Sequence, residues 1–137
     1  MQHLRHLLAS TVILLALLVG LTSCEGSKYK KIDGKICWTF YTFSFGRISQ
    51  PLTFQDLGHH YGKDKDHAFY EDSMLIGPDV ATFESVKDHY AIDSRHAYYK
   101  HSVIQGADPT TFKVKNENLS CDDRDYYWQG VWRERHG

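Results

Sequence analysis

The stretch DSRHAYY, residues 93–99, decides how this chain folds, because related stretches stand at equal distances before it and after it. The earlier stretch reads DKDHAFY, residues 64–70, and the later one reads DDRDYYW, residues 122–128. Residues 61–89 laid over 90–118 without gaps give ten identities, whereas about two are expected between unrelated sequences of ordinary composition. The chain is therefore predicted to be built from repeats with a 29-residue period.

The same alignment extends backwards to residue 32, where only the apolar positions persist. Every copy begins with an apolar residue and carries two adjacent aromatic residues at its ninth and tenth positions. The first positions are Ile32, Tyr61, Tyr90 and Leu119; the ninth are Phe40, Phe69, Tyr98 and Tyr127; the tenth are Tyr41, Tyr70, Tyr99 and Trp128. This pattern predicts about three and a half copies in one domain over residues 32–137.

The aromatic pairs and the frequent turn residues predict short strands. Residues 96–99 are predicted as a strand, followed by a turn and a short returning strand near Val103 and Ile104. Alternation places Tyr98 and Tyr99 on opposite faces. One copy is too small to bury its own apolar surface, so the copies must stack. The expected fold is an all-β repeat array of short hairpins, either an open solenoid-like stack or a closed barrel or propeller-like ring.

These stretches, together with GADPTTF at residues 106–112, resemble the DKNYY family, whose repeats read D-K-N-x-x-Y-Y followed by G-x-D-P-x-T-F. The resemblance covers residues 61–118 and departs from the pattern at residues 94–95, where Ser-Arg replaces Lys-Asn. The family is bacterial and has no established activity. The resemblance therefore implies no catalytic, cofactor-binding or metal-binding residues for this chain.

The first 24 residues indicate export and lipid anchoring. A basic start and an apolar run over residues 7–21 are typical of a secretory signal, and the run is shorter than the ~20 residues that a spanning helix needs. Residues 21–24, Leu-Thr-Ser-Cys, resemble the lipobox of bacterial lipoproteins. The resemblance implies a signal peptide over residues 1–23, palmitate-type acyl chains on Cys24 and a tether over residues 24–31. Glu25 favours the outer over the inner membrane of the bacterial envelope.

Charge excludes one class of partner. Once Arg5 leaves with the signal, 15 basic side chains face 17 acidic ones, and nothing in that balance attracts nucleic acid. The expected partners are the membrane, through the lipid on Cys24, and an envelope protein or glycan.

The recurring pairs Asp64/His67 and Asp93/His96 are the most site-like polar groups. They resemble metal ligands, or a base with its orienting carboxylate. We interpret them instead as structural, with Asp organising its turn and His half-exposed on a strand, and we interpret residues 59–60, His-His, as a solvated loop. No catalytic residue, metal ligand or cofactor is predicted, and the chain is not expected to be an enzyme.

The aromatic rows leave two readings of function open. If Tyr70 and Tyr99 are core residues, then Phe69 and Tyr98 on the opposite face are the candidates for an exposed ligand ladder. The expected function is a lipid-anchored, non-enzymatic interaction or structural module, with a glycan- or protein-binding module as the alternative. A small envelope hydrolase is the third hypothesis.

The cysteines left after lipidation supply one further prediction. A disulfide between Cys37 and Cys121 would join the first and last copies, and it would require the array to curl until its ends meet.

Overall fold

The computed structural model describes residues 28–40, 43–49 and 53–137, and the predicted signal peptide and Cys24 lie outside them. The described residues form short antiparallel strands and no helix, which confirms the all-β class. They accordingly contain no helix long and apolar enough to cross a membrane.

The strands form four small sheets in which neighbours along the chain pair antiparallel. The first sheet holds β1 (Lys28–Ile32), β2 (Lys35–Phe40) and β3 (Phe43–Ser49). The second holds β4 (Gln55–Gly58), β5 (Tyr61–Lys63), β6 (Ala68–Tyr70) and β7 (Ser73–Met74). The third holds β8 (Glu84–Lys87), β9 (Tyr90–Ile92), β10 (Ala97–Tyr99) and β11 (Ser102–Val103). The fourth holds β12 (Lys113–Val114), β13 (Leu119–Cys121), β14 (Asp125–Trp128) and β15 (Val131–Arg135).

The predicted hairpin is confirmed as β10 and β11, which pair through Tyr98 and Val103. The full repeating unit is larger than that hairpin. Each of the last three sheets is a four-stranded meander, because the apolar first position of each copy lies on a further strand, namely β5, β9 or β13.

Successive sheets pack face to face through apolar clusters, which confirms that the copies stack. The first and second sheets join through Tyr29, Ile36, Trp38, Phe54 and Phe69. The second and third join through Tyr61, Ala68, Tyr70, Leu75, Phe83, Ala91 and Tyr98. The third and fourth join through Tyr90, Ala97, Ile104, Phe112 and Tyr127. The second and third sheets are therefore packed on both faces.

One three-ring arrangement recurs at the interfaces. It consists of a tyrosine, its cross-strand aromatic partner and the phenylalanine just before the first strand of the following sheet, with each contact worth roughly 0.5–1.5 kcal/mol beyond burial. Tyr61 lies 5.0 Å from Tyr70 and 5.8 Å from Phe83 between ring centroids. Tyr90 lies 5.0 Å from Tyr99 and 5.9 Å from Phe112.

The predicted alignment of the first copy is wrong by three residues. Tyr29 lies 4.7 Å from Trp38 and 4.9 Å from Phe54, so Tyr29 and Trp38 take the places assigned to Ile32 and Tyr41. Ile32 is 38% exposed. The extra residues lie between Trp38 and Phe54, where β3 is seven residues long although β7 and β11 have two each.

The predicted tether also ends too late. Residues 28–31 belong to β1, and Tyr29 within them is buried. The repeat domain therefore begins at or before residue 28, because its first ring cluster needs Tyr29.

The disulfide prediction is wrong. Cys37 and Cys121 are both free thiols, in the first and fourth sheets. Two whole sheets separate them, and stacked sheets lie about 10 Å apart. Their Cα atoms are therefore well beyond the ~7 Å within which a bridge can form.

Candidate binding groove

The aspartates of the repeated pairs organise their turns, as predicted. Asp93 Oδ1 accepts the backbone N–H groups of Arg95 at 2.8 Å and His96 at 2.7 Å. Asp93 Oδ2 accepts the Asp79 N–H at 2.8 Å and the Tyr98 hydroxyl at 2.7 Å. This carboxylate ties its own turn to the core ring and to the preceding linker, which leaves it little capacity to bind a ligand.

Asp122 repeats the arrangement one copy later. Its Oδ1 accepts the N–H groups of Arg124 and Asp125, and its Oδ2 accepts the Asp108 N–H and the Tyr127 hydroxyl. Burial by itself raises the pKa of Asp122, but these four hydrogen bonds outweigh it and hold the pKa at about 2. The carboxylate is therefore a structural anion that stays charged at neutral pH.

The histidines of the pairs each lie beside the aspartate of their own turn. His67 Nδ1 lies 3.4 Å from Asp64 Oδ1, and His96 Nδ1 lies 3.8 Å from Asp93 Oδ1. Over the described part of the chain, no group of three His, Cys, Asp or Glu side chains has metal-binding geometry.

The predicted ligand ladder is wrong. Phe69 is 3% exposed and Tyr98 is 1% exposed, because the sheets that carry them are packed on both faces. The tenth-position row is the one that becomes exposed along the stack. Tyr70 is buried, Tyr99 is partly exposed and Trp128 is 48% exposed.

Along one edge of the stack the tenth-position rings alternate with histidines. His60 lies 5.9 Å from Tyr70, and His89 lies 6.0 Å from Tyr70 and 6.2 Å from Tyr99. The Tyr70 hydroxyl is in hydrogen-bond contact with His89 Nδ1 at 2.9 Å. Residues 59–60 form the turn between β4 and β5, where His59 is exposed as predicted, whereas the half-buried His60 ring lies 5.5 Å from Trp38.

This row breaks off at Asn118, which stands one repeat after His89. Its side-chain amide oxygen accepts a hydrogen bond from Gln129 Nε2 at 3.0 Å, and it offers no ring to Tyr99. Within the part of the chain that the structure describes, the Tyr99 hydroxyl has no hydrogen-bond partner. The interface between the third and fourth sheets therefore opens at this edge.

A groove of about 510 Å³ occupies the opening. Tyr99 and Trp132 supply its aromatic surface, and Ser102, Gln105 and Gln129 supply polar groups along it. Lys100 also lines the groove, with its Nζ 5.4 Å from the centroid of the Tyr99 ring.

Two contacts shape the groove. Trp132, the cross-strand neighbour of Tyr127, donates from Nε1 to Asp125 Oδ1 at 3.1 Å, while its side chain stays 56% exposed. Gly130 has φ of 78°, and a Cβ built there would lie 2.6 Å from the Tyr99 Cβ. Only glycine allows the turn between β14 and β15 to approach Tyr99 this closely.

A second cavity, of about 430 Å³, lies beside Lys63, Asp64 and Val80. Its polar groups already serve the fold, since Lys63 Nζ donates to the carbonyl oxygens of Val80 and Phe83 at 3.1 and 3.0 Å. None of the described residues that line it is aromatic, which makes the groove at Trp132 the stronger candidate site.

The sequence analysis did not single out Trp132 as a site residue. The sequence did contain a signal for this site. At the 29-residue spacing, Asn118 follows His60 and His89. The loss of the ring marks the interface between the third and fourth sheets as the one that differs among those described.

The model of the DKNYY family matches residues 59–130, just over half of the chain, and so covers the third sheet and most of the second and fourth. No curated protein matches the chain, and no solved structure matches it. On the family match and the repeats that carry it, this chain belongs to the DKNYY family.

Proposed function

We propose that the chain is a lipid-anchored, non-enzymatic interaction module of the bacterial cell envelope, held at the membrane by acyl chains on Cys24. The observation that carries this proposal is the groove at Tyr99 and Trp132, which presents aromatic and amide groups to solvent. Concave sites of this kind, mostly apolar with a few polar groups, bind ligands in other proteins.

The use of the polar side chains supports binding over catalysis. The recurring aspartates accept hydrogen bonds from turn and linker N–H groups, and their lowered pKa values suit permanent anions better than proton donors or acceptors. A general base works best with a pKa near the operating pH. The Asp93 and Asp122 carboxylates do not meet that requirement.

The position of the groove supports contact with a partner at a distance from the membrane. Cys24 precedes β1 by four residues, so an attached lipid would hold the end of the stack that carries the first sheet. The groove lies between the third and fourth sheets. With sheets about 10 Å apart, it would stand roughly 20–30 Å farther along the stack.

A binding role is favoured over a purely structural one because the groove exposes Trp132 beside Tyr99, which a repeat serving only as a spacer would not need. Large apolar side chains that cluster on a surface mark interaction sites more often than single ones do.

Fatty-acid labelling and photocrosslinking in one bacterial strain test the proposal. Cys24→Ser should leave an uncleaved precursor that incorporates no fatty-acid probe. In the lipidated chain, a benzoylphenylalanine placed at His101, an exposed residue of the groove lining, should crosslink to a discrete envelope component.

The control places the same crosslinker at Ile76, which is 91% exposed and lies outside the groove. Normal fatty-acid labelling of the Cys24→Ser chain would contradict the proposed lipid anchor on Cys24. Equal crosslinking from Ile76 and His101 would contradict binding at the groove.

A further inference from the structure

We propose that the groove between the third and fourth sheets binds a neutral carbohydrate. Trp132 and Tyr99 would pack against the apolar face of a sugar ring, while Ser102, Gln105 and Gln129 would meet its hydroxyl groups. This inference rests on the proposed role as an interaction module and specifies the ligand class of the same groove.

Trp132 is suited to be the stacking surface. Its indole N–H is already bonded to Asp125 Oδ1 at 3.1 Å, while 56% of the side chain remains open to solvent. An aromatic ring that is held in place before binding loses little conformational entropy when a ligand arrives. The indole therefore presents an apolar face without needing its own polar atom satisfied by the ligand.

Tyr99 supplies a polar group that the described part of the fold leaves unused. At the preceding interface, the equivalent Tyr70 hydroxyl contacts His89 Nδ1 at 2.9 Å. At this interface Asn118 replaces the histidine and engages Gln129. The Tyr99 hydroxyl is left to bond water or a ligand hydroxyl, beside the ring surface that the same side chain contributes to the groove.

The charge of the lining selects a neutral ligand. Gln105, Gln129 and Ser102 carry both donors and acceptors, which matches sugar hydroxyls that also act as both. The charge of Lys100 lies over the Tyr99 ring, 5.4 Å from its centroid, and among the described residues no carboxylate lines the groove. A cationic ligand would find no counter-charge in that lining, and an anionic one would find Lys100 and His101 but no bidentate arginine.

The same lining argues against an apolar peptide side chain as the occupant. Burying amide and hydroxyl groups under an apolar ligand leaves them unpaired, which is costly. A polyhydroxylated ring with one apolar face satisfies both the amides and the aromatic rings, and the groove volume of about 510 Å³ lies within the range of small-ligand sites.

Isothermal titration of the full chain, purified in a detergent without a sugar headgroup, tests the assignment. The probes are four neutral oligosaccharides: chitotetraose, cellotetraose, maltotetraose and laminaritetraose. At least one should bind saturably at up to millimolar concentrations. Trp132→Ala should weaken that binding by about tenfold or more, as expected for a central aromatic contact, and Trp132→Phe should restore part of it.

The matched control is Trp128→Ala. Trp128 lies four residues away on the opposite face of the same sheet, is similarly exposed at 48%, and does not line the groove. It should leave binding within about twofold of the parent chain. Thermal melts of the three variants separate loss of the site from loss of the fold.

Two outcomes would overturn the inference. One is failure of all four oligosaccharides to bind the folded parent chain. The other is an equal loss of binding in Trp128→Ala and Trp132→Ala. If the sugars fail while the parent chain carries its lipid and the crosslinker at His101 still reaches an envelope component, the ligand class is wrong and the interaction module stands. If the parent chain also incorporates no fatty acid and forms no crosslink from the groove, the proposed function is wrong too.

Discussion

Tyr61→Phe should destabilise the fold, whereas Tyr90→Phe should not. Both rings are fully buried at equivalent places in the stack. The Tyr61 hydroxyl donates to the carbonyl oxygens of His89 at 2.6 Å and Lys100 at 2.8 Å, which bind the second sheet to the third. The Tyr90 hydroxyl has no hydrogen-bond partner among the described residues. Burial raises the pKa of Tyr90 and the nearby Ser120 side chain lowers it. The two hydroxyls do not, however, form a hydrogen bond with each other. Among the described residues both are buried without a partner.

The magnitudes follow from these contacts. Tyr61→Phe loses a hydrogen bond worth about 1 kcal/mol net, and it leaves the part-buried Lys100 carbonyl oxygen without that donor, so the total cost should be at most about 2 kcal/mol. The His89 carbonyl keeps its bond from the Lys100 N–H at 2.7 Å. Tyr90→Phe removes a buried hydroxyl that lacks a partner among the described residues, so it should be neutral or stabilise the fold by up to about 1 kcal/mol.

Urea unfolding of residues 25–137 followed by circular dichroism measures the difference. With a slope of about 2 kcal/mol per molar urea, Tyr61→Phe should lower the midpoint by roughly 1 M, while Tyr90→Phe should leave it unchanged or raise it. Equal destabilisation of the two variants would show that the hydroxyl contacts do not distinguish the interfaces and would refute the reasoning.

Two further changes test the aspartate turns. Tyr98→Phe should cost about 1.5–3 kcal/mol in the same unfolding assay, because the lost hydrogen bond to Asp93 is charge-assisted; an unchanged midpoint would contradict this. Asp122, with its pKa held at about 2, should contribute about 1–2 kcal/mol of stability, after allowance for solvent screening, that is fully present above roughly pH 4 and lost as the pH falls toward 2. Asp122→Asn should flatten the stability curve over that window, and a curve as steep as that of the parent chain would exclude this role.

Several features of the fold were accessible from the sequence. The 29-residue spacing of the aromatic pairs predicted repeats, the turn residues predicted short strands, and the small size of one copy predicted stacking. The turn-forming role of Asp93 was also accessible, because an aspartate two residues before a free N–H is a recognised local cap. These properties depend on contacts within one copy or on periodicity itself.

The assignment of faces was not accessible. Alternation places the adjacent residues Phe69 and Tyr70 on opposite faces. Because both are aromatic, their residue types do not indicate which face is buried. In the structure the second and third sheets are packed on both faces, and the predicted ladder of Phe69 and Tyr98 is therefore core. The alignment of the first copy failed for a related reason, since Tyr29 rather than Ile32 fills the ring cluster.

By itself, the sequence determined the class of this protein: a repeating all-β chain of the DKNYY family whose aspartates serve their own turns. Only the tertiary structure decided where the stack remains open. Contacts within the fourth sheet engage Asn118 with Gln129 and Trp132 with Asp125. The approach of Gly130 to Tyr99 joins residues of two different sheets. Which groups of the fourth sheet meet or fail to cover Tyr99 is therefore decided only when the two sheets pack.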